Sequence, residues 1–120
     1  MLFRSPWATE NSTSPSALET ALETHLAAVN DYWSRVFAER GWGVYTPPAD
    51  LVVFDEAFTG PCGPVDAGFN THYCPVDTII RVNRDMAIGD IQNNGETAMY
   101  AMIAHEVGHH VQSQIGRAHV

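Results

Sequence analysis

No lysine occurs in the 120 residues; the 6 basic side chains are all arginines, set against 14 acidic ones for a formal net charge of −8. The arginines are scattered, so the chain lacks the basic patch that neutralises phosphates. That excludes nucleic acid and anionic membrane surfaces as partner classes. Long apolar runs are also missing. The longest, residues 98–104, falls far short of the roughly 20 residues that span a bilayer. The opening residues carry one arginine and then break at Pro6 and Glu10, without the apolar core of a signal peptide. Neither export signal nor anchor is therefore expected in this stretch of chain. What is present is ordinary for a folded domain: a hydrophobic share of 45% rules out wholesale disorder. The length suits one core rather than two.

Residues 1–16 are rich in Ser, Thr, Pro and Asn without a clear period and read as a linker. Ser16 with Glu19 fits a capping box. Leu18, Leu22, Leu26, Val29, Trp33, Val36 and Phe37 then recur at steps of three and four, the stripe of a long amphipathic helix, with Gly41 placed to end it. His25 lies beside that stripe and reads as a boundary residue rather than a ligand. Pro47-Pro48 excludes a helix. Residues 51–54 are β-branched and aromatic, hence a strand. Residues 59–69 are dense in glycine and proline and are expected to be loop. Residues 73–75 read as extended, and residues 78–83 as a second strand with Thr78, Ile80 and Val82 on one face. That strand is expected at a sheet edge, where it can pair with an extended peptide substrate. A short helix is expected over 85–92, a break at Asn93-Asn94-Gly95, and a final helix with Glu96 near its positive dipole end.

That final helix contains His105-Glu106-Val107-Gly108-His109. Residues four apart stand one turn above each other, so His105 and His109 can aim two imidazoles at one point. Two neutral ring nitrogens so placed can hold Zn²⁺ at about 2.0–2.1 Å. Glu106, rotated about 100° from His105, reaches a zinc-bound water instead of competing for the metal; this is the H-E-x-x-H pattern with Glu as general base. With 6 histidines in the chain, such a pattern arises by chance in roughly one composition in sixty, so five residues alone are weak. Their setting strengthens them. Met99, Met102, Ile103, Ala104, Val107 and Val111 flank the motif, and polar side chains on a buried helix need partners. Hydrogen-bonded core histidines or a structural metal site are the competing explanation. His110, turned about 100° from His109, is expected beside the ligands or at the surface. Glu96, nine residues before His105, is too remote to coordinate.

A third ligand is harder to find. The H-E-x-x-H-x-x-G-x-x-H extension fails at Gln112 and Ile115, no acidic residue follows Glu106, and His119 is the last candidate. Residues 115–120, Ile-Gly-Arg-Ala-His-Val, interrupt the amphipathic pattern and coincide with the translation of a common sequencing adapter, so they are read as a non-native tail, with a native Ile-Gly turn as the alternative.

From Gly60 onward the chain resembles the bacterial neutral zinc metallopeptidase family. The resemblance rests on Pro61-Cys62-Gly63, His72-Tyr73-Cys74-Pro75-Val76-Asp77 and Ile79-Ile80-Arg81-Val82-Asn83. Most specific is Met102-Ile103-Ala104 running into His105-Glu106-Val107-Gly108-His109-His110-Val111-Gln112. It implies an α+β, zincin-like fold in which a long N-terminal helix backs a small sheet and the H-E-x-x-H helix crosses beneath. Residues 17–114 would form a partial metallopeptidase domain, incomplete at its C-terminus. It further implies Zn²⁺ as cofactor, His105 and His109 as ligands, Glu106 as catalytic base, and a third ligand from a glutamate on a later helix, beyond Val120. The reaction implied is hydrolysis of a peptide or protein substrate, impaired in so short a chain. Cys62 and Cys74 resemble the family's cysteine pair; they are either a disulfide of an exported domain or two buried thiols. An extracytoplasmic bacterial location is the corresponding expectation. The competing class is a non-catalytic metal-binding or protein-interaction domain that keeps the helix for structure.

Overall fold

A computed structural model describes residues 15–68 and 71–118. Most of the expected linker, together with His119, therefore lies outside the described residues. Helix α1 spans Pro15–Arg40 and α2 Arg84–Asn94, while α3 spans Glu96–Ala118. The strands are β1 Asp50–Phe54, β2 Phe58–Gly60, β3 Gly63–Val65, β4 His72–Cys74 and β5 Ile79–Asn83. The α+β expectation holds in this arrangement.

Helix α1 opens on Pro15, one residue before the expected cap at Ser16; proline suits a first turn, where its missing N–H costs nothing. The helix stops where the sequence says it should. Gly41 adopts φ +66°, the Trp42 N–H reaches back to the Phe37 carbonyl at 3.0 Å, and the Gly41 N–H reaches Ala38 at 3.4 Å. That is a Schellman closure. Its usual apolar contact is present too, as the Trp42 ring meets Phe37 edge-on at 5.4 Å. Leu18, Leu22, Val29 and Phe37 are buried, and they join Met99, Ile103, Val107 and Val111 of α3 in one core with Ile80 and Val82 of β5. The long helix thus packs along α3 as well as toward the sheet.

The main sheet has the order β1-β5-β4. β5 runs parallel to β1 and antiparallel to β4. It is the central strand, so both its edges are hydrogen-bonded and it cannot accept an added peptide strand. Among the described residues the outer strands of this sheet are β1 and β4. Strand β5 begins at Ile79, not at residue 78, because Thr78 has φ +57°. A turn sets that geometry: the Thr78 N–H donates to the Cys74 carbonyl at 2.8 Å, and the Ile79 N–H donates to the Asp77 carboxylate at 3.1 Å.

Part of the expected 59–69 loop is instead a hairpin, β2 against β3, with Phe58 opposite Val65 and Gly60 opposite Gly63. Gly63 at φ +113° makes the tight return, so glycine and proline here signal a turn between strands. Cys62 on that turn is bonded to Cys74 at the end of β4, which settles the cysteine question as a disulfide. At the end of β5 the buried Asn83 accepts the Met86 N–H at 3.1 Å, capping α2, and donates to the Ala67 carbonyl at 3.0 Å. Gly95 ends α2 with φ +81° and an N–H to Ile91, and α3 starts at once. Helix α3 continues to Ala118, with Ile115 packed against the core; the expected interruption at Ile115-Gly116 does not occur, since glycine alone does not break a helix held by tertiary packing.

Candidate active site

Helix α3 turns Ile103, Val107 and Val111 into the core. At 3.6 residues per turn this decides where its polar side chains go. His105 and His109 fall on the exposed side, and their Nε2 atoms approach to 3.1 Å. Two ligands at about 2.0–2.1 Å on a tetrahedral ion sit at much this separation, so the pair fits Zn²⁺. Both histidines are open to solvent, while the neighbouring Glu106 and His110 are buried, at 7% and 4% exposure.

Glu106 looks into two open clefts. One, of about 580 Å³, is lined by His72, Tyr73, His105, Glu106, His109 and Ser113 among others. The other, of about 480 Å³, lies between Thr71, Asp90, Met102, His105 and Glu106. Burial pushes the Glu106 carboxyl above the ordinary carboxylate range, and the neighbouring His105 and His109 and the Tyr73 backbone N–H partly offset this. A carboxylate so shifted is a stronger base than an exposed one. A third cleft, about 450 Å³, runs from His105 and His109 to Trp33 and Trp42, so His105 stands where three hollows meet and His109 lines two of them.

Among the described residues no group of three His, Cys, Asp or Glu side chains gathers; the third ligand is expected beyond Val120, and His119 lies outside the described residues. His25 lies elsewhere, 3.6 Å from Glu96 and edge-on to Tyr100, as its boundary reading implies. Glu96 sits in the first turn of α3, remote from the pair.

Sequence reasoning missed how His110 and Tyr73 work together. The Nδ1 of His110 lies 2.7 Å from the Tyr73 hydroxyl, and its Nε2 lies 2.7 Å from the Thr46 carbonyl. A signal was available: His110 follows Val107 by three residues and Ile103 by seven, which puts it on the apolar face. Strand β4 borders the cleft, and its Tyr73 N–H serves Glu106.

An α+β fold that sets an H-E-x-x-H helix against a small mixed sheet is the layout implied for a zinc metallopeptidase. The chain belongs to the family described as "Putative neutral zinc metallopeptidase", which matches residues 6–119. It is 33% identical over 112 residues to the uncharacterized protein YpfJ of Escherichia coli strain K12. It matches YpfJ of Escherichia coli O6:H1 equally well. The alignment covers 88% of this chain and 38% of each relative, so the chain spans well under half their length. No solved structure matches it.

Proposed function

We propose that the protein is a zinc-dependent hydrolase of peptide bonds with a zincin-like core, in which His105 and His109 hold the ion and Glu106 handles the proton. The observation that carries this reading is the convergence of the two Nε2 atoms to 3.1 Å beside a buried Glu106. Zn²⁺ bound there supplies Lewis acidity toward a water and toward the scissile carbonyl. Glu106, at the floor of two clefts, takes a proton from the attacking water and delivers it to the leaving nitrogen. The Tyr73 N–H keeps its carboxylate in place, and the surrounding burial raises its basicity. The substrate is an extended or unfolded peptide lying across the exposed side of α3. The third ligand implied by the resemblance, a glutamate further along the longer polypeptide, completes the site. The Cys62–Cys74 disulfide supports an oxidising, extracytoplasmic setting; among the described residues no helix is long and apolar enough to cross a membrane.

The test is Glu106→Gln in the longer protein. Zinc binding stays within a few-fold of wild type while hydrolysis of an unfolded substrate falls by about 100-fold or more, the usual scale of a lost general base. Undiminished hydrolysis in the variant removes the role of Glu106. A wild-type protein that binds zinc but cleaves no unfolded substrate favours a non-catalytic metal-binding domain.

A further inference from the structure

We propose that His110 is a positioning residue for Glu106, acting through Tyr73 to hold strand β4 against the active-site helix. The inference rests on the peptidase reading only for what Glu106 does; the geometry stands apart from it.

The hydrogen bonds define a directed chain. The Thr46 carbonyl can only accept, so His110 Nε2 carries the proton and donates to it at 2.7 Å. In the neutral imidazole Nδ1 is then an acceptor, and the Tyr73 hydroxyl donates its one proton to it at 2.7 Å. That proton is committed. Tyr73 therefore has none to offer a substrate oxygen, and its phenol acts as a tether rather than an electrophile. The same residue's backbone N–H donates to the Glu106 carboxylate. One residue of an edge strand thus connects at both ends to α3, by its side chain to His110 and by its main chain to Glu106, four residues apart on one face of the helix.

The arrangement explains why a polar imidazole sits at 4% exposure next to a proposed ligand yet turns away from it. Strand β4 has three residues and, among the described residues, one strand neighbour, β5. A strand so short is loosely fixed by its ladder alone. The rings reinforce the clamp: Tyr73 and Tyr45 both meet His110 edge-on, at 5.3 Å and 6.2 Å. Tyr45 and Thr46 lie on the segment that follows α1. His110 therefore joins three separate parts of the chain at the one point where Glu106 is held.

The decisive measurement is amide hydrogen exchange at Tyr73 in the metal-free 120-residue chain, by NMR. Tyr73→Phe keeps the ring and the N–H but removes the tether; His110→Leu removes both of its bonds, while His110→Gln keeps one donor and one acceptor. Exchange at Tyr73 is expected to rise about 3- to 10-fold in Tyr73→Phe and His110→Leu, the scale of one lost hydrogen bond, and less in His110→Gln. The amides of Ile103 and Val107 keep their protection. Unchanged exchange at Tyr73 in Tyr73→Phe overturns the proposal, and so does an acceleration spread equally to Ile103 and Val107, which would mark a packing role. In the longer protein the same two variants lower kcat several-fold with KM unchanged. If the wild type hydrolyses nothing, the peptidase reading falls while the exchange data still decide the role of His110.

Discussion

His105 and His109 bring their Nε2 atoms to 3.1 Å on the exposed side of α3, with no third ligating side chain beside them among the described residues. Two imidazoles held this close can share one metal ion, though less tightly than three fixed ligands would. In the 120-residue chain, calorimetric titration with Zn²⁺ should therefore give weak binding at one site. His105→Ala or His109→Ala should each weaken it by at least about tenfold, since even supporting residues around metals cost that much. His25→Ala, far from the pair, should leave it unchanged. Wild-type affinity in His105→Ala would show that the zinc sits elsewhere.

The Cys62–Cys74 bond ties the β2–β3 turn to the end of β4, across a sequence separation of 12. Closing a loop of about that size removes unfolded-state entropy worth roughly 3 kcal/mol. Urea unfolding of the Cys62→Ser/Cys74→Ser double variant should show a loss of that order, with an m-value no smaller than that of the wild type. The same loss should follow reduction of the wild type by a dithiol. An unaltered midpoint would mean that the hairpin and β4 are held by their other contacts alone.

The parts of this fold that were legible in sequence are those written locally. The stripe from Leu18 to Phe37, the stop at Gly41 and the one-turn spacing of His105 and His109 each depend on residues within a turn or two. What was not legible depends on distant pairing. The place of β5 at the centre of the sheet follows from its parallel register with β1, Asp50 opposite Ile79, and nothing in residues 78–83 announces it. The β2–β3 hairpin was hidden because Gly60, Gly63 and Pro64 serve turns and loops alike. Thr78 reads as a strand residue by its branched side chain, yet a turn closed through Cys74 and Asp77 drives it to positive φ. The burial of His110 could have been read from helical phase; its partners, 37 and 64 residues away, could not.

Tyr45 sets an alkaline limit. Burial pushes its phenol up to about 12 from the ordinary 10, with a contribution from Tyr73, and its hydroxyl donates to Asn30 at 2.7 Å. Above pH 10 the unfolded chain loses this proton while the folded one keeps it, so stability falls as pH rises from 10 toward 12. The full difference is roughly 2–3 kcal/mol. A lysine-free chain has few other groups titrating there, which makes the effect readable. Chemical denaturation at pH 9 and pH 11 should show the decline, and Tyr45→Phe should flatten it; equal slopes in both proteins would rule Tyr45 out as the cause.

Asp77 sets the corresponding acid limit. Its carboxylate takes both the Nη1 and Nη2 of Arg81, at 3.2 Å and 2.6 Å, and these bonds, aided by the Ile79 N–H, hold its pKa below the usual carboxylate value. Protonation in the unfolded state therefore comes first as pH falls. The stabilisation is whole above the ordinary carboxylate pKa and is lost as pH drops through the folded value. Asp77→Asn should lower the melting temperature at pH 7 and lessen its dependence on pH below 4. An Asn variant that melts like wild type at pH 7 but differs at pH 3 would reverse this sign.

Two glycines should respond in opposite directions to the same substitution. Gly41 closes α1 at φ +66°, and a Cβ added there would meet nothing within 4 Å. The cost of Gly41→Ala is therefore backbone strain alone, about 1–2 kcal/mol. Gly108 lies inside α3 between His105 and His109, and a Cβ there would likewise meet nothing within 4 Å. Its backbone is helical, so Gly108→Ala should stabilise by about 0.5–1 kcal/mol through reduced unfolded-state freedom. Gly108 also borders the cleft that runs from the histidine pair to Trp33 and Trp42. If Gly108→Ala raises the melting temperature yet raises KM for an unfolded substrate in the longer protein, the glycine is there to leave room for a ligand beside the histidine pair. If both quantities stay at wild-type values, neither helix propensity nor cleft width explains it.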